Sequence, residues 1–335
     1  MRRSLHYSNP TITSPFRVRA RSLTRVLLDY LRLRSGYISQ WSSRGRLGRN
    51  LPSGGRNLTG SVMIVIGLGT GRSGTASLAK LLNAQRDALC FHEMNPSCVR
   101  FSGTPRPILN TIDEYQAIVD GGDPSMLTVD LGRPVAAKAY DRLCKMHRVR
   151  LIGDIAFYYL SYVEAIAARN PNVRFLCLRR DIDETVASWI NKSRISRWPS
   201  KHLADRIGAL ITRAPFHKSR NFWMEHDGSH WQHDPVWDKC FPKFEAASMP
   251  EAIRKYCEFY YAEAEQLARK LQPVFRFVDT PSMVNGDYQS EILSFLGVPV
   301  GEHVFTDAHI HQSRTGHSPK ARRVLAGSRE SADRH

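Results

Sequence analysis

The chain has 335 residues, 42% of them hydrophobic, enough for one large core or two small ones. Its formal charge of +17 is uneven: residues 1–60 hold twelve arginines, no lysine and a single acid, Asp29, so they carry +11 and the other 275 residues only +6. A mildly basic body suits a polyanionic small ligand without demanding a nucleic-acid partner, and no apolar run reaches the roughly 18 residues that span a bilayer, which argues against a membrane-anchored lumenal enzyme.

Residues 1–60 are rich in Arg, Ser and Gly. Within them Leu23, Val26, Leu27, Tyr30 and Leu31 fall at helical spacing among arginines, a short basic amphipathic helix. Such a segment reads as a disordered extension, as an organelle transit peptide, or as sequence upstream of the true start, since Met63 stands just before the first predicted strand. The six cysteines (Cys90, Cys98, Cys144, Cys177, Cys240, Cys257) show no CxxC spacing, which predicts reduced thiols and a cytoplasmic protein.

The body opens on Val62–Ile66, a continuous β-rich run expected of a strand buried on both faces of a parallel sheet. A glycine loop over 67–74 follows, then a helix from about Thr75 with Leu78, Leu81 and Leu82 on one face, and a short strand, Ala88–Phe91, ending at His92-Glu93. Further strands are predicted at Val149–Ile152, ending at Gly153-Asp154, at Val173–Leu178 and at Val274–Val278. Helices are predicted at Tyr158–Ala168, about Glu184–Ile190, 252–271 and Glu291–Leu296. Strands alternating with helices predict a three-layer α/β fold with a mostly parallel central sheet. Residues 192–250, rich in Trp, His and Pro, break the rhythm and read as an inserted lid or acceptor-binding region. The body is placed at 61–318, and 319–335 form a basic tail.

Gly69-Thr-Gly-Arg-Ser-Gly74 satisfies G-x-G-x-x-G between a strand and a helix, and Glu93 stands where a dinucleotide site has its ribose-binding acid. Against a site for NAD(P), the loop carries Arg72-Ser73, a cation and a hydroxyl that a pyrophosphate on bare backbone does not need. A P-loop NTPase fits worse, because Thr75 and Ala76 occupy the positions of its Lys and of its Mg²⁺-binding hydroxyl.

A third reading joins two motifs. Gly71-Arg-Ser-Gly-Thr-Ala-Ser77 resembles the 5′-phosphosulfate loop of the sulfotransferase family. Arg180, at a predicted strand end, and Ser188, eight residues later, match the R-x7-S spacing with which that family binds the 3′-phosphate of 3′-phosphoadenylyl sulfate (PAPS). Weaker matches are Gly153-Asp154, the Tyr-rich helix near Tyr260 and Phe295-Leu-Gly-Val-Pro299. The resemblance implies a P-loop-like α/β fold and a PAPS-dependent sulfotransferase that needs no metal. It implies that Arg72, Ser73, Gly74, Thr75, Ala76 and Ser77 hold the 5′-phosphosulfate, with Arg72 neutralising charge on the bridging oxygen. Backbone N–H groups at a helix N-terminus suit that task. Arg180 and Ser188 then hold the 3′-phosphate, where a guanidinium fork meets two oxygens at once. Ala76 departs from the family's usual hydroxyl.

Sulfuryl transfer also needs a base for the acceptor's proton. Several branches of the family place a carboxylate near Glu93, whereas His92 is a rival and Asp154 a third choice. On a strand, neighbours point to opposite sides, so one of His92 and Glu93 is expected to enter the site. The acceptor expected is a carbohydrate or other small molecule bearing a hydroxyl or amine. Trp189, Trp198, Trp223, Trp231 and Trp237 cluster where aromatic faces could stack on it or form a subdomain core. His226, His230 and His233 lack a clear fourth ligand, and no metal site is expected. Two other classes stay open: an NAD(P)-dependent oxidoreductase, and a family member that binds nucleotide without catalysis.

Overall fold

In the computed structural model, which describes residues 63–95, 104–196 and 237–307, Met63–Leu68 forms β1. All six residues are buried. Strand alternation sends Ile64, Ile66 and Leu68 into one hydrophobic core and Met63 and Val65 into another on the opposite face. Burial on both faces is why the run carries no polar side chain.

Helix α1 (Thr75–Asn83) follows, and its Leu78, Leu81 and Leu82 pack into the second core beside Ala88 and Cys90 of β2 (Ala88–His92). Helices α2 (Arg106–Val119) and α3 (Pro134–Cys144) cover the first face. No element was predicted there, although Ile108, Ile112 and Tyr115 lie at helical spacing in α2 and are buried. The chain continues through β3 (Leu151–Ile155), a 3₁₀ turn at Phe157–Tyr162, α4 (Val163–Arg169), β4 (Val173–Arg179) and α5 (Ile182–Ser196). It ends with α6 (Met249–Lys270), β5 (Phe275–Asp279) and α7 (Gly286–Phe295). α7 closes the second face with Ile292 and Leu293, and α6 packs on the first with Ile253, Tyr256 and Tyr260. The result is three layers around a parallel sheet.

Three sequence expectations shift. β3 does not stop before Gly153-Asp154 but runs through them. A Cβ at Gly153 would lie 2.0 Å from the Val65 carbonyl oxygen, so this glycine permits close strand pairing and does not end a strand. The predicted helix at Tyr158 begins as a 3₁₀ turn. Residues 192–196, assigned to an insertion, continue α5, and 249–250 already belong to α6. Residues 1–60, most of 192–250 (with Trp198, Trp223, Trp231 and His226, His230, His233) and 319–335 lie outside the described residues.

The sheet order is β2-β3-β1-β4-β5, all parallel. A dinucleotide-binding fold has order 3-2-1-4-5-6, with strand 2 next to strand 1; here β3 stands between them. From β1 the chain leaves toward β2 on one side, and from β4 toward β5 on the other. A crevice therefore opens between the carboxyl ends of β1 and β4, the place where open α/β sheets bind ligands. Among the described residues, no helix is long and apolar enough to cross a membrane.

Candidate functional site

The loop between β1 and α1 lies at that crevice, and its geometry depends on glycine. Gly71 and Gly74 hold φ of 74° and 92°, conformations that side chains rarely adopt. A Cβ on Gly71 would meet the Trp189 ring at 2.7 Å, and one on Gly74 would meet Thr280 at 2.6 Å. Arg72, although not glycine, also takes a positive φ of 61°.

α6 and the end of β5 both brace the loop. The Gly69 N–H donates to the Tyr260 hydroxyl (2.9 Å), which donates in turn to the Phe157 carbonyl (3.2 Å). Thr280, just past β5, donates to the Ser73 carbonyl at 2.6 Å. The Tyr-rich helix noted in the sequence is thus a support beneath the loop.

α1 begins with an uncapped end. Its N-cap, Gly74, offers no side-chain hydrogen bond, and no acidic residue occupies the first turn. The Ser73 side-chain oxygen is fully buried and has no partner. A buried hydroxyl beside an uncapped helix N-terminus is suited to an anion. Ala76 and Ser77 are half-buried in the first turn of α1.

The two motifs meet. Arg72 Nε donates to Ser188 Oγ at 2.9 Å across 116 residues, and Arg180 Nη1 donates to the Arg72 carbonyl at 3.0 Å across 108. Arg180 also binds Glu184 in the first turn of α5 (Nε–Oε2 3.0 Å), and its own N–H donates to the Tyr261 hydroxyl (3.2 Å). Desolvation, then the neighbouring Arg180, lower the Arg72 pKa. Two guanidinium groups held this close favour a polyanion.

The end of β2 carries two of the residues considered as the base, His92 and Glu93. β2 stops at His92, and Glu93 takes a left-handed φ of 53°. Strand alternation therefore ends at His92 and does not choose between the two residues. His92 faces α1, where its Nε2 lies 2.9 Å from Thr75 Oγ1. Glu93 turns the other way and pairs with Arg133 just before α3 (Oε2–Nη2 3.0 Å). Burial lowers the His92 pKa; Glu93 and Asp154 oppose the shift, while Arg133 and Lys192 reinforce it.

Asp154 is not on the rim. Fully buried, its Oδ2 accepts from Tyr158 (2.8 Å) and Tyr159 (2.9 Å), and both carboxylate oxygens face the Met94 N–H (3.1 and 3.2 Å). Burial raises its pKa, and these hydrogen bonds oppose the rise without cancelling it. With its acceptor sites occupied from inside, Asp154 supports the turn that carries Glu93.

Sequence reasoning missed Arg133 and Lys192. Arg133 precedes a proline that starts a helix, a position with no motif around it. Lys192 follows Ser188 by one helical turn on α5, a spacing that was readable, and sits 5.1 Å over the Trp189 ring. Desolvation first, then Arg72 and Arg133, lower the Lys192 pKa, with Glu93 opposing. Lys192 thus lies within electrostatic reach of both the loop and Glu93.

No protein-family model matches the sequence, and none of the curated proteins does. Among solved structures, the chain is similar to a sulfotransferase from Alicyclobacillus acidocaldarius at 13% identity and a TM-score of 0.36, covering 79% of this chain and 90% of that one. It is also similar to the sulfotransferase domain of the Synechococcus PCC 7002 olefin synthase at 12% identity and a TM-score of 0.31, covering 80% and 85%. At such scores the likeness carries no argument about chemistry, which rests on the site.

Proposed function

We propose that this chain is a PAPS-dependent sulfotransferase acting on a hydroxyl or amine of a carbohydrate or other small molecule. The observation that carries the reading is the meeting of two motifs at Arg72: Ser188 accepts its side chain, and Arg180 donates to its carbonyl. A loop that only turned the chain would need neither contact.

The residues fit the co-substrate. The buried Ser73 hydroxyl without a partner and the uncapped N-terminus of α1 suit the 5′-phosphosulfate. Thr75 and Ser77 add hydroxyls, and Gly74 and Ala76 contribute backbone. Arg180 and Ser188 suit the 3′-phosphate.

PAPS supplies a sulfuryl group on a phosphate leaving group: a bond forms from the acceptor oxygen or nitrogen to sulfur, the sulfur–oxygen bond to phosphate breaks, and 3′-phosphoadenosine 5′-phosphate (PAP) leaves. Glu93 takes the acceptor's proton as that bond forms and later returns it to solvent. Arg133 orients the Glu93 carboxylate. Arg72 offsets the charge that builds on the departing phosphate oxygen.

Transfer from radiolabelled PAPS to panels of sugars, phenols, lipids and peptides tests the reading. A labelled product identifies the acceptor class. PAP binding without transfer to any panel would favour a nucleotide-binding protein without catalysis.

A further inference from the structure

Thr75, the first residue of α1, is almost fully buried, and its hydroxyl lies 2.9 Å from His92 Nε2. A hydroxyl has one proton to donate. If Nε2 is bare, Thr75 donates to His92 and has no proton left for a ligand. If Nε2 carries a proton, Thr75 accepts from His92 and its own O–H is free to point at an anion on the helix N-terminus. A proton on Nε2, carried by the imidazolium or by the Nε2–H tautomer of the neutral ring, therefore sets which way Thr75 faces.

From this contact we infer that His92 is a positioning residue for the nucleotide and not the base of the reaction: by donating from Nε2 it turns the Thr75 hydroxyl toward the 5′-phosphate, and because the phosphate charge favours the imidazolium over the neutral Nε2–H tautomer, PAP and PAPS bind with uptake of a proton at His92. The inference rests on the reading of the loop as a phosphosulfate site.

The surroundings leave the imidazole poised. Glu93 next to it and Asp154 on β3 favour the cation, whereas burial, Arg133 ahead of α3 and Lys192 on α5 favour the neutral ring. Burial is the largest influence, so the ligand-free ring is neutral near pH 7. A phosphate arriving at α1 brings negative charge that favours the imidazolium, raising the pKa of His92 in the complex. The sign follows: the stabilisation is complete below the free-protein pKa and is lost as pH rises through the pKa of the complex.

The experiment is titration calorimetry of PAP binding from pH 5.5 to 8.5 on the full chain, for wild type, His92→Gln, Thr75→Val and Thr75→Ser. Because a phosphate itself takes up a proton near pH 6, the quantity read is the ratio of Kd between variant and wild type. For His92→Gln that ratio is expected to be roughly tenfold at the acid end, the scale of one charge-assisted hydrogen bond, and to fall toward unity at the alkaline end. Thr75→Val should bind weakly at every pH, and adding His92→Gln to it should change nothing further. Thr75→Ser, which keeps the hydroxyl, should behave as wild type. Buffers of different ionisation heat should report proton uptake in wild type and less in His92→Gln.

A ratio for His92→Gln that does not vary with pH overturns the inference. So does a pH-dependent loss that persists when His92→Gln is added to Thr75→Val, because His92 would then act by charge alone. If PAP fails to bind wild type at any pH, the reading of the site fails instead.

Discussion

Removing the acceptor beneath the active turn should cost far more than neutralising it. Asp154 takes hydrogen bonds from two buried tyrosine hydroxyls and the Met94 N–H. Asp154→Ala leaves all three donors unmatched, and at about 1–3 kcal/mol for each buried orphan the loss is about 3–5 kcal/mol after partial relaxation. Asp154→Asn keeps one oxygen for the tyrosines. It weakens bonds to a charged acceptor into neutral ones, worth about 1 kcal/mol each, and also removes the cost of burying a charge, so the net loss is about 1–2 kcal/mol. Urea unfolding with an unchanged m-value measures both.

The pH dependence carries a sign. Because burial raises the folded-state pKa, the native state holds its proton to higher pH than the unfolded chain, whose pKa is about 3.9. The advantage of wild type over Asp154→Asn should thus be greatest below about pH 4 and shrink as pH rises through the folded-state pKa. An advantage that grows with pH would mean that the tyrosines stabilise the anion more than burial penalises it. Equal losses for Ala and Asn would mean that the three donors find other partners.

Two further outcomes concern the ends of the site. Arg180→Ala should weaken PAP binding by about 1.5–3 kcal/mol in calorimetry and barely alter the affinity for adenosine 5′-phosphosulfate, which lacks the 3′-phosphate; equal losses for both ligands would show that Arg180 does not bind that phosphate. Glu93→Gln should lower turnover about 10²–10⁴-fold, with PAP affinity within about threefold of wild type, the pattern of a lost general base. Turnover left intact by Glu93→Gln would move the base elsewhere.

Much of this was legible because the chemistry is local. The β1 run, the glycine loop and the start of α1 follow from burial on both faces and from backbone conformations that only glycine takes easily. The R-x7-S pair was readable as spacing, but its contact with Arg72 was not, because it depends on β4 lying beside β1. The sequence could not assign Asp154 correctly, since a carboxylate after glycine reads as a strand end. Its burial depends on two tyrosines that follow in a 3₁₀ turn, where a helix was expected. The period-two argument for His92 and Glu93 did not reach the reason the two residues diverge. It assumes an extended backbone, and Glu93 has left the strand in a left-handed conformation. Arg133 was invisible because its partner, Glu93, is 40 residues away.

The central claim is that the crevice between β1 and β4 holds an adenine nucleotide phosphorylated at both its 3′ and 5′ positions. Titration calorimetry of the full chain with PAP, AMP and NAD, without added metal, tests it most directly. The account predicts that PAP binds, that AMP, which lacks the 3′-phosphate, binds about tenfold or more weakly, and that NAD gives no heat. Binding of NAD in preference to PAP, or equal affinity for PAP and AMP, would contradict it.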